Sequence, residues 1–217
     1  KKYKGHGWMG LKFQTKPNES YSEIILHVRF HQTNAKLQQE DLGIIGVNLI
    51  YGCFYKHQNP KNLLKYLYDH VDKDSIEIDT INFKGPLFEN VDNRLISLEL
   101  IKNNMTKAVM FNPDGNNVLP ARILYKKNIL ALRGSFRPVT KVNIDMFEKS
   151  FEIFMKETEV DKNNTQVIFE ITLSNLMESG KIDEKDFMDR AKLLCSMGKT
   201  VMISNFKEYY KLVDYFS

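Results

Sequence analysis

Residues 167–203, VIFEITLSNLMESGKIDEKDFMDRAKLLCSMGKTVMI, spell out a strand, a helix and a second strand. Val167 to Ile171 is a short apolar run rich in branched and aromatic side chains, which is strand composition. Asp183 has the position of a helix N-cap, and Phe187, Ala191, Leu194 and Cys195 recur at helical spacing behind it. Gly198 stops that helix, and Thr200 to Ile203 forms the next strand directly. Two strands joined through one helix are expected to lie parallel in a sheet, with the helix covering one face.

Working outward, Ile144, Phe147, Phe151 and Phe154 mark an amphipathic helix before this unit, and Lys207 to Phe216 marks another after it. Ile129 to Leu132 is a short apolar strand. Ala108 to Phe111 is a further strand closed by the turn Asn112-Pro113-Asp114-Gly115, and Asn93 to Lys102 reads as a helix. In the first third, Ile24 to Phe30 reads as a strand and Leu42 to Tyr55 as a buried helix, in which Gly43 and Gly46 leave room for another backbone. A helix from Asn62 to Val71 and the alternating, half-buried strand Ile76 to Phe83 follow. The order there is β-α-α-β. These elements predict an α/β fold with a mainly parallel sheet and covering helices, in Rossmann-like or open βαβ layers, built as one domain over residues 1–217, with a subdomain junction near 126–128 as the alternative.

Bulk properties narrow the class. Of 217 residues, 42% are hydrophobic and 27% charged, and 31 Lys and Arg against 27 Asp and Glu leave a net charge of +4 spread along the chain. That balance argues against disorder and gives no basic block for nucleic acid. The longest apolar run, Leu42 to Tyr55, falls short of the roughly 20 residues that a membrane helix needs. Cys53 and Cys195 each sit in apolar helical sequence without a second metal-spaced Cys or His, so neither a disulfide framework nor a metal site is predicted. A cytoplasmic location is expected. The Lys1-Lys2-Tyr3-Lys4 opening has no signal-peptide core behind it and no initiating Met, which suggests a piece of a longer chain.

Ligands of parallel sheets bind at the carboxyl ends of strands. Those ends bear His27, Arg29 and His31; Asn82 and Lys84; Arg133 to Arg137; Glu170 and Thr172; Ser204 and Asn205. Gly134-Ser135-Phe136-Arg137-Pro138-Val139-Thr140-Lys141-Val142-Asn143 links a strand to a helix, a setting in which backbone amides and a helix N-terminus receive an anion. Arg133 and Arg137 add charge-assisted donors. The predicted ligand set is therefore Arg133, Gly134, Ser135, Arg137, Thr140 and Asn143, with Arg29 and His31 as further anion contacts. No residue stands out as a nucleophile or general base, and Mg²⁺ is a cofactor only as a companion of a nucleotide.

This loop resembles the G-[ST]-F-D-P-x-[HT]-x-G-H signature of the nucleotidyltransferase superfamily. Gly134, Ser135, Phe136, Pro138 and Thr140 match it. Arg137 stands at its acidic position, Val142 at its glycine and Asn143 at its second histidine. Over nearly the whole length, Gly5-His6-Gly7-Trp8-Met9-Gly10, Leu37-Gln38-Gln39-Glu40, Val91-Asp92-Asn93-Arg94-Leu95, the Arg133 to Thr140 run and Val201-Met202-Ile203-Ser204-Asn205 resemble the C-terminal half of a family of longer bacterial proteins. Its members are labelled variously nicotinate-nucleotide adenylyltransferase and TonB-dependent receptor. The resemblances imply a nucleotide- or phosphate-binding α/β domain similar to an adenylyltransferase, whereas a receptor barrel conflicts with the strand-helix alternation.

Two other readings stay open. A non-catalytic regulatory or interaction domain docking on a preceding region of a longer chain is motivated by the apolar helix Leu42 to Tyr55. A metal-dependent hydrolase requires His27, His31 and Glu170 to converge. Gly5-His6-Gly7-Trp8 reads as a glycine-flanked turn with a core-packing Trp or as a ligand-facing loop, and Asp92-Asn93-Arg94 as an N-cap with either a surface arginine or an inward clamp.

Overall fold

A computed structural model describes residues 3–177 and 180–217; Lys1 and Lys2 of the basic opening, with Glu178 and Ser179, lie outside the described residues. The chain divides into two compact units, Lys1–Thr106 and Lys107–Ser217. Residues 126–128 thus lie within the second unit. The architecture is α/β.

In the first unit, β1 (His6–Phe13), β2 (Ser22–Phe30) and β3 (Ile76–Lys84) form a sheet in that order, with both ladders antiparallel. Between β2 and β3 the chain runs through α1 (Ala35–Tyr55) and α2 (Pro60–Tyr66), and α3 (Asn93–Lys102) follows β3. This corrects the mainly parallel expectation. One helix returns the chain to the end where the first strand began, whereas two successive helices bring it back to where that strand finished, so β3 enters antiparallel to β2.

Other expectations are corrected here. The glycine-flanked N-terminal turn is the strand β1, with Trp8 57% exposed and not in the core. The helix expected over 62–71 ends at Tyr66. The alternation of β3 does not mark a solvent face, because Glu77, Asp79 and Thr80 are buried like Ile76 and Ile78.

The helix α1 is apolar on both sides but buried on one. Ile45, Leu49 and Cys53 pack into the core, and the buried Asn48 amide donates to the Leu67 and Asp69 carbonyls at 3.1 and 2.8 Å. Val47, Ile50, Phe54 and Tyr55 stay exposed. The close approach is made at Gly52, where a Cβ would lie 3.0 Å from Leu63 Cγ, while Gly43 faces open space and Gly46 nearly so.

The second unit opens with β4 (Ala108–Phe111), β5 (Asn117–Val118), α4 (Pro120–Leu124) and β6 (Asn128–Arg133). It continues through α5 (Lys141–Phe154), β7 (Thr165–Thr172), the single turn α6 (Leu173–Leu176), α7 (Glu184–Ser196), β8 (Thr200–Ser204) and α8 (Tyr209–Phe216). The strand order is β5-β4-β8-β7-β6. Here β6, β7 and β8 are mutually parallel, and β4 runs antiparallel to β8 and β5.

The Asp183 cap is as expected, accepting from the Lys185 and Asp186 amides, and Gly198 closes α7 with φ +73°. Phe111, Phe169 and Phe187 are fully buried and anchor helices to this sheet. The mixed sheet presents one edge where three parallel strands finish together, and the loop after β6 starts there.

Candidate functional site

Register brings three polar side chains together at that edge. Arg133 of β6 pairs with Glu170 of β7, which pairs with Met202 of β8, two residues before Ser204. The Glu170 carboxylate is fully buried. Its Oε2 accepts from Arg133 Nε at 2.7 Å, and its Oε1 accepts from Arg133 Nη2 at 2.9 Å and from Ser204 Oγ at 2.5 Å. A buried carboxylate requires such compensation, since desolvation of a lone charge costs several kcal/mol. The guanidinium also donates to the Lys207 carbonyl at 3.3 Å and lies 4.4 Å from the ring centre of Tyr209. Its bonds to Glu170 raise the Arg133 pKa above its ordinary value, against the opposing effect of burial. Arg133 is a fixed cation.

The loop above it closes on itself. The Gly134 amide donates to the Glu170 carbonyl at 3.1 Å, continuing the ladder. Phe136, at φ +48°, folds its ring back over Gly134 and against Phe169, so a Cβ at residue 134 would lie 3.0 Å from Phe136 Cζ. The Ser135 carbonyl accepts from Arg190 Nη1 at 3.0 Å. Arg190 is itself buried, with Nη2 on Asp186 and Nη1 also reaching the Asn175 carbonyl. The Arg137–Pro138 peptide is cis. At the start of α5, Thr140 and Asn143 form a capping box: the Thr140 amide donates to Asn143 Oδ1 at 2.9 Å and the Asn143 amide to Thr140 Oγ1 at 3.3 Å.

The amides of Gly134, Thr140 and Asn143 therefore already have protein partners. Arg137 is the more accessible of the two arginines, 47% exposed against 10% for Arg133, and lies 3.3 Å from Asp186. Among the predicted residues, the structure brings Arg133, Gly134, Ser135, Arg137, Thr140 and Asn143 into one loop region of the second unit. Glu170, Ser204, Arg190 and Tyr209 complete that region. Glu170 and Ser204 were visible as strand ends, whereas nothing in the spacing pointed to Arg190 or Tyr209.

Arg29 and His31 belong to the first unit, where both approach Glu77 Oε2, at 3.6 and 3.9 Å. Glu77 also accepts from Thr106 Oγ1 at 2.6 Å. His27 instead meets the buried Asp79 at 2.8 Å and His6 at 3.2 Å. The convergence of His27, His31 and Glu170 on a metal is not supported, because His27 and His31 engage different carboxylates of β3 and Glu170 is bound by Arg133 and Ser204. Among the described residues, no group of three His, Cys, Asp or Glu side chains is placed to hold a metal ion. Arg94 folds onto its own N-cap, donating from Nε and Nη2 to Asp92 at 3.0 and 2.7 Å. Among the described residues no helix is long and apolar enough to cross a membrane.

Comparison with known proteins returns no matching family model, no matching curated protein and no matching solved structure.

Proposed function

We propose that the second unit binds a small phosphorylated ligand, a nucleotide or a compound like it, at the carboxyl edge of β6, β7 and β8. The observation that carries this reading is the pairing of a pinned guanidinium, Arg133, with a half-exposed one, Arg137, on a strand-loop-helix turn at the end of three parallel strands. Ligands of open α/β sheets favour such ends, which gives the unit a Rossmann-like mode of use. Recognition falls to side chains, with Arg137 exchanging Asp186 for phosphate and Ser135 offering a hydroxyl, whereas the Thr140 hydroxyl already donates to Asn143 Oδ1. An amide cradle contributes less, since three of its donors are already engaged.

The reading is one of binding. Glu170 and Ser204, the nearest candidates for proton transfer, are fully buried and bonded to each other. Mg²⁺ enters only as the companion of a nucleotide. The burial of both Cys53 and Cys195 in helices of different units supports a reducing, cytoplasmic setting.

Thermal-shift titration with ATP, NAD and nicotinate mononucleotide at millimolar concentration tests the proposal. A stabilisation of the wild-type chain that Arg137→Ala abolishes is expected. A wild-type chain indifferent to all three removes the reading.

The outer side of α1 favours a second reading, that the first unit is an interaction module. Val47 is 66% exposed and Tyr55 72% exposed on a face without a charged residue between Asp41 and Lys56. Contiguous apolar surface of this kind marks contact with other protein. Binding of a hydrophobic fluorescent dye, reduced by Val47→Glu with Ile50→Lys, is the expected result; a monomeric chain that binds no dye contradicts it.

A further inference from the structure

We propose that the face of the three-stranded sheet carrying His6 and Trp8 is a catalytic site, in which Asp79, His27 and His6 form a proton relay for hydrolysis of an ester whose planar group rests on Trp8.

The relay takes one residue from each strand. Asp79 on β3 and His27 on β2 are both 2% exposed, and Asp79 Oδ1 lies 2.8 Å from His27 Nδ1. A carboxylate only accepts hydrogen bonds, so His27 carries its proton on Nδ1 and presents a lone pair at Nε2. His6 Nδ1 stands 3.2 Å from that nitrogen and, with His27 neutral, is the donor. The remaining nitrogen, His6 Nε2, is then left basic on an exposed residue of β1. A buried acid thus orients a buried imidazole, which orients an accessible one.

The backbone serves this alignment. In the register, His27 lies opposite Trp8 on one side and Thr80 on the other, and the ladder shifts between His27 and Val28. Such a bulge re-aims a side chain. Here it allows His27 to meet Asp79 and not its direct partner, Thr80, whose buried hydroxyl has no hydrogen-bond partner among the described residues. The Trp8 ring lies 5.0 Å from the His27 ring and remains more than half exposed, leaving an aromatic platform two residues from His6. Arg29 is opposite His6 in the register and 42% exposed, 3.6 Å from Glu77.

The chemistry balances without a metal or a redox partner. Water attacks the ester carbonyl carbon while giving one proton to His6 Nε2. The Nδ1 proton of His6 passes to His27 Nε2, placing the positive charge beside Asp79. Arg29 donates to the carbonyl oxygen as it becomes negative. Collapse breaks the carbon–oxygen bond to the leaving group, which recovers the proton through the same path. The products are a carboxylic acid and an alcohol or phenol.

The test uses p-nitrophenyl acetate and the intact chain near neutral pH. The expected result is release of p-nitrophenol at a rate that falls about a hundredfold or more in His6→Gln and in Asp79→Asn, the usual range of general-base contributions. His70→Gln is expected to leave the rate unchanged, since His70 is 87% exposed and its neighbour Asp69 is itself accessible. A His6→Gln protein as fast as wild type overturns the proposal, as does a folded Asp79→Asn protein that keeps the full rate. Should Asp79→Asn fail to fold, the nitrogen shifts of His27 in the wild-type chain decide: protonation at Nδ1 is required, and protonation at Nε2 alone overturns the relay.

Discussion

Arg133 and Glu170, adjacent across a parallel ladder, meet through two N–H···O bonds of 2.7 and 2.9 Å, one to each carboxylate oxygen. Glu170 has no access to solvent, so removing its partner strands a charge. Arg133→Ala is expected to destabilise the second unit by about 3–5 kcal/mol, measured by urea unfolding. Arg133→Ala with Glu170→Leu is expected to recover much of that loss, because the uncompensated carboxylate is then gone.

Thr140 caps α5 through a reciprocal bond with Asn143. Thr140→Ala is expected to cost about 1 kcal/mol of stability, and Thr140→Ser to restore it. A ligand that binds this loop through the Thr140 hydroxyl gives, in Thr140→Ala, a smaller thermal shift measured from that variant's own unliganded midpoint, which separates the capping role from a binding role.

The second unit was more legible than the first because its parallel strands β6, β7 and β8 are joined through the clearly periodic helices α5 and α7. Asp183, Gly198 and the apolar stripe of Phe187, Ala191 and Leu194 do in the structure what their spacing implies. In the first unit the β-α-α-β order was readable, and the helix count already contained the antiparallel outcome. The strand β1 was hidden by Gly5, Gly7 and Gly10, which read as turn residues when no neighbour is known; at Gly10 the Ile24 carbonyl and Ile25 side chain lie 3.2–3.3 Å from where a Cβ would be, a close approach to β2. The loop at Gly134 was locatable from its strand-to-helix position. That its amides are already bonded depends on Glu170 and Asn143, and hydrogen-bond pairing across strands leaves no mark on spacing.

Burial pushes the Cys53 thiol from its usual 9.0 up to about 12 and raises the Tyr68 hydroxyl in the same direction. Both groups stay protonated in the folded chain where the unfolded chain ionises. Their contribution is therefore complete below about 9 and is lost as pH rises from about 9 toward about 12. Denaturant midpoints of the first unit are expected to fall across that window. At neutral pH, Cys53 is expected to resist thiol reagents until the unit unfolds, and rapid native labelling at this residue contradicts the burial.

Two glycines predict opposite signs. Gly85 has φ +98°, and a Cβ there would lie 2.5 Å from the Tyr21 carbonyl oxygen and 2.6 Å from Ser22 Cα. Gly85→Ala is expected to cost more than about 1–3 kcal/mol, since backbone must move. Gly43 is helical with open space around it, so Gly43→Ala is expected to stabilise by about 0.5–1 kcal/mol. Thermal unfolding of the two variants checks both.

The chain contains a single tryptophan, and it stands on the edge strand of the first unit. Indole emission is accordingly a private signal of that half of the molecule, whereas far-ultraviolet dichroism sums over both halves. Recording the two together resolves whether the halves melt as one or in sequence, with no label and no truncation.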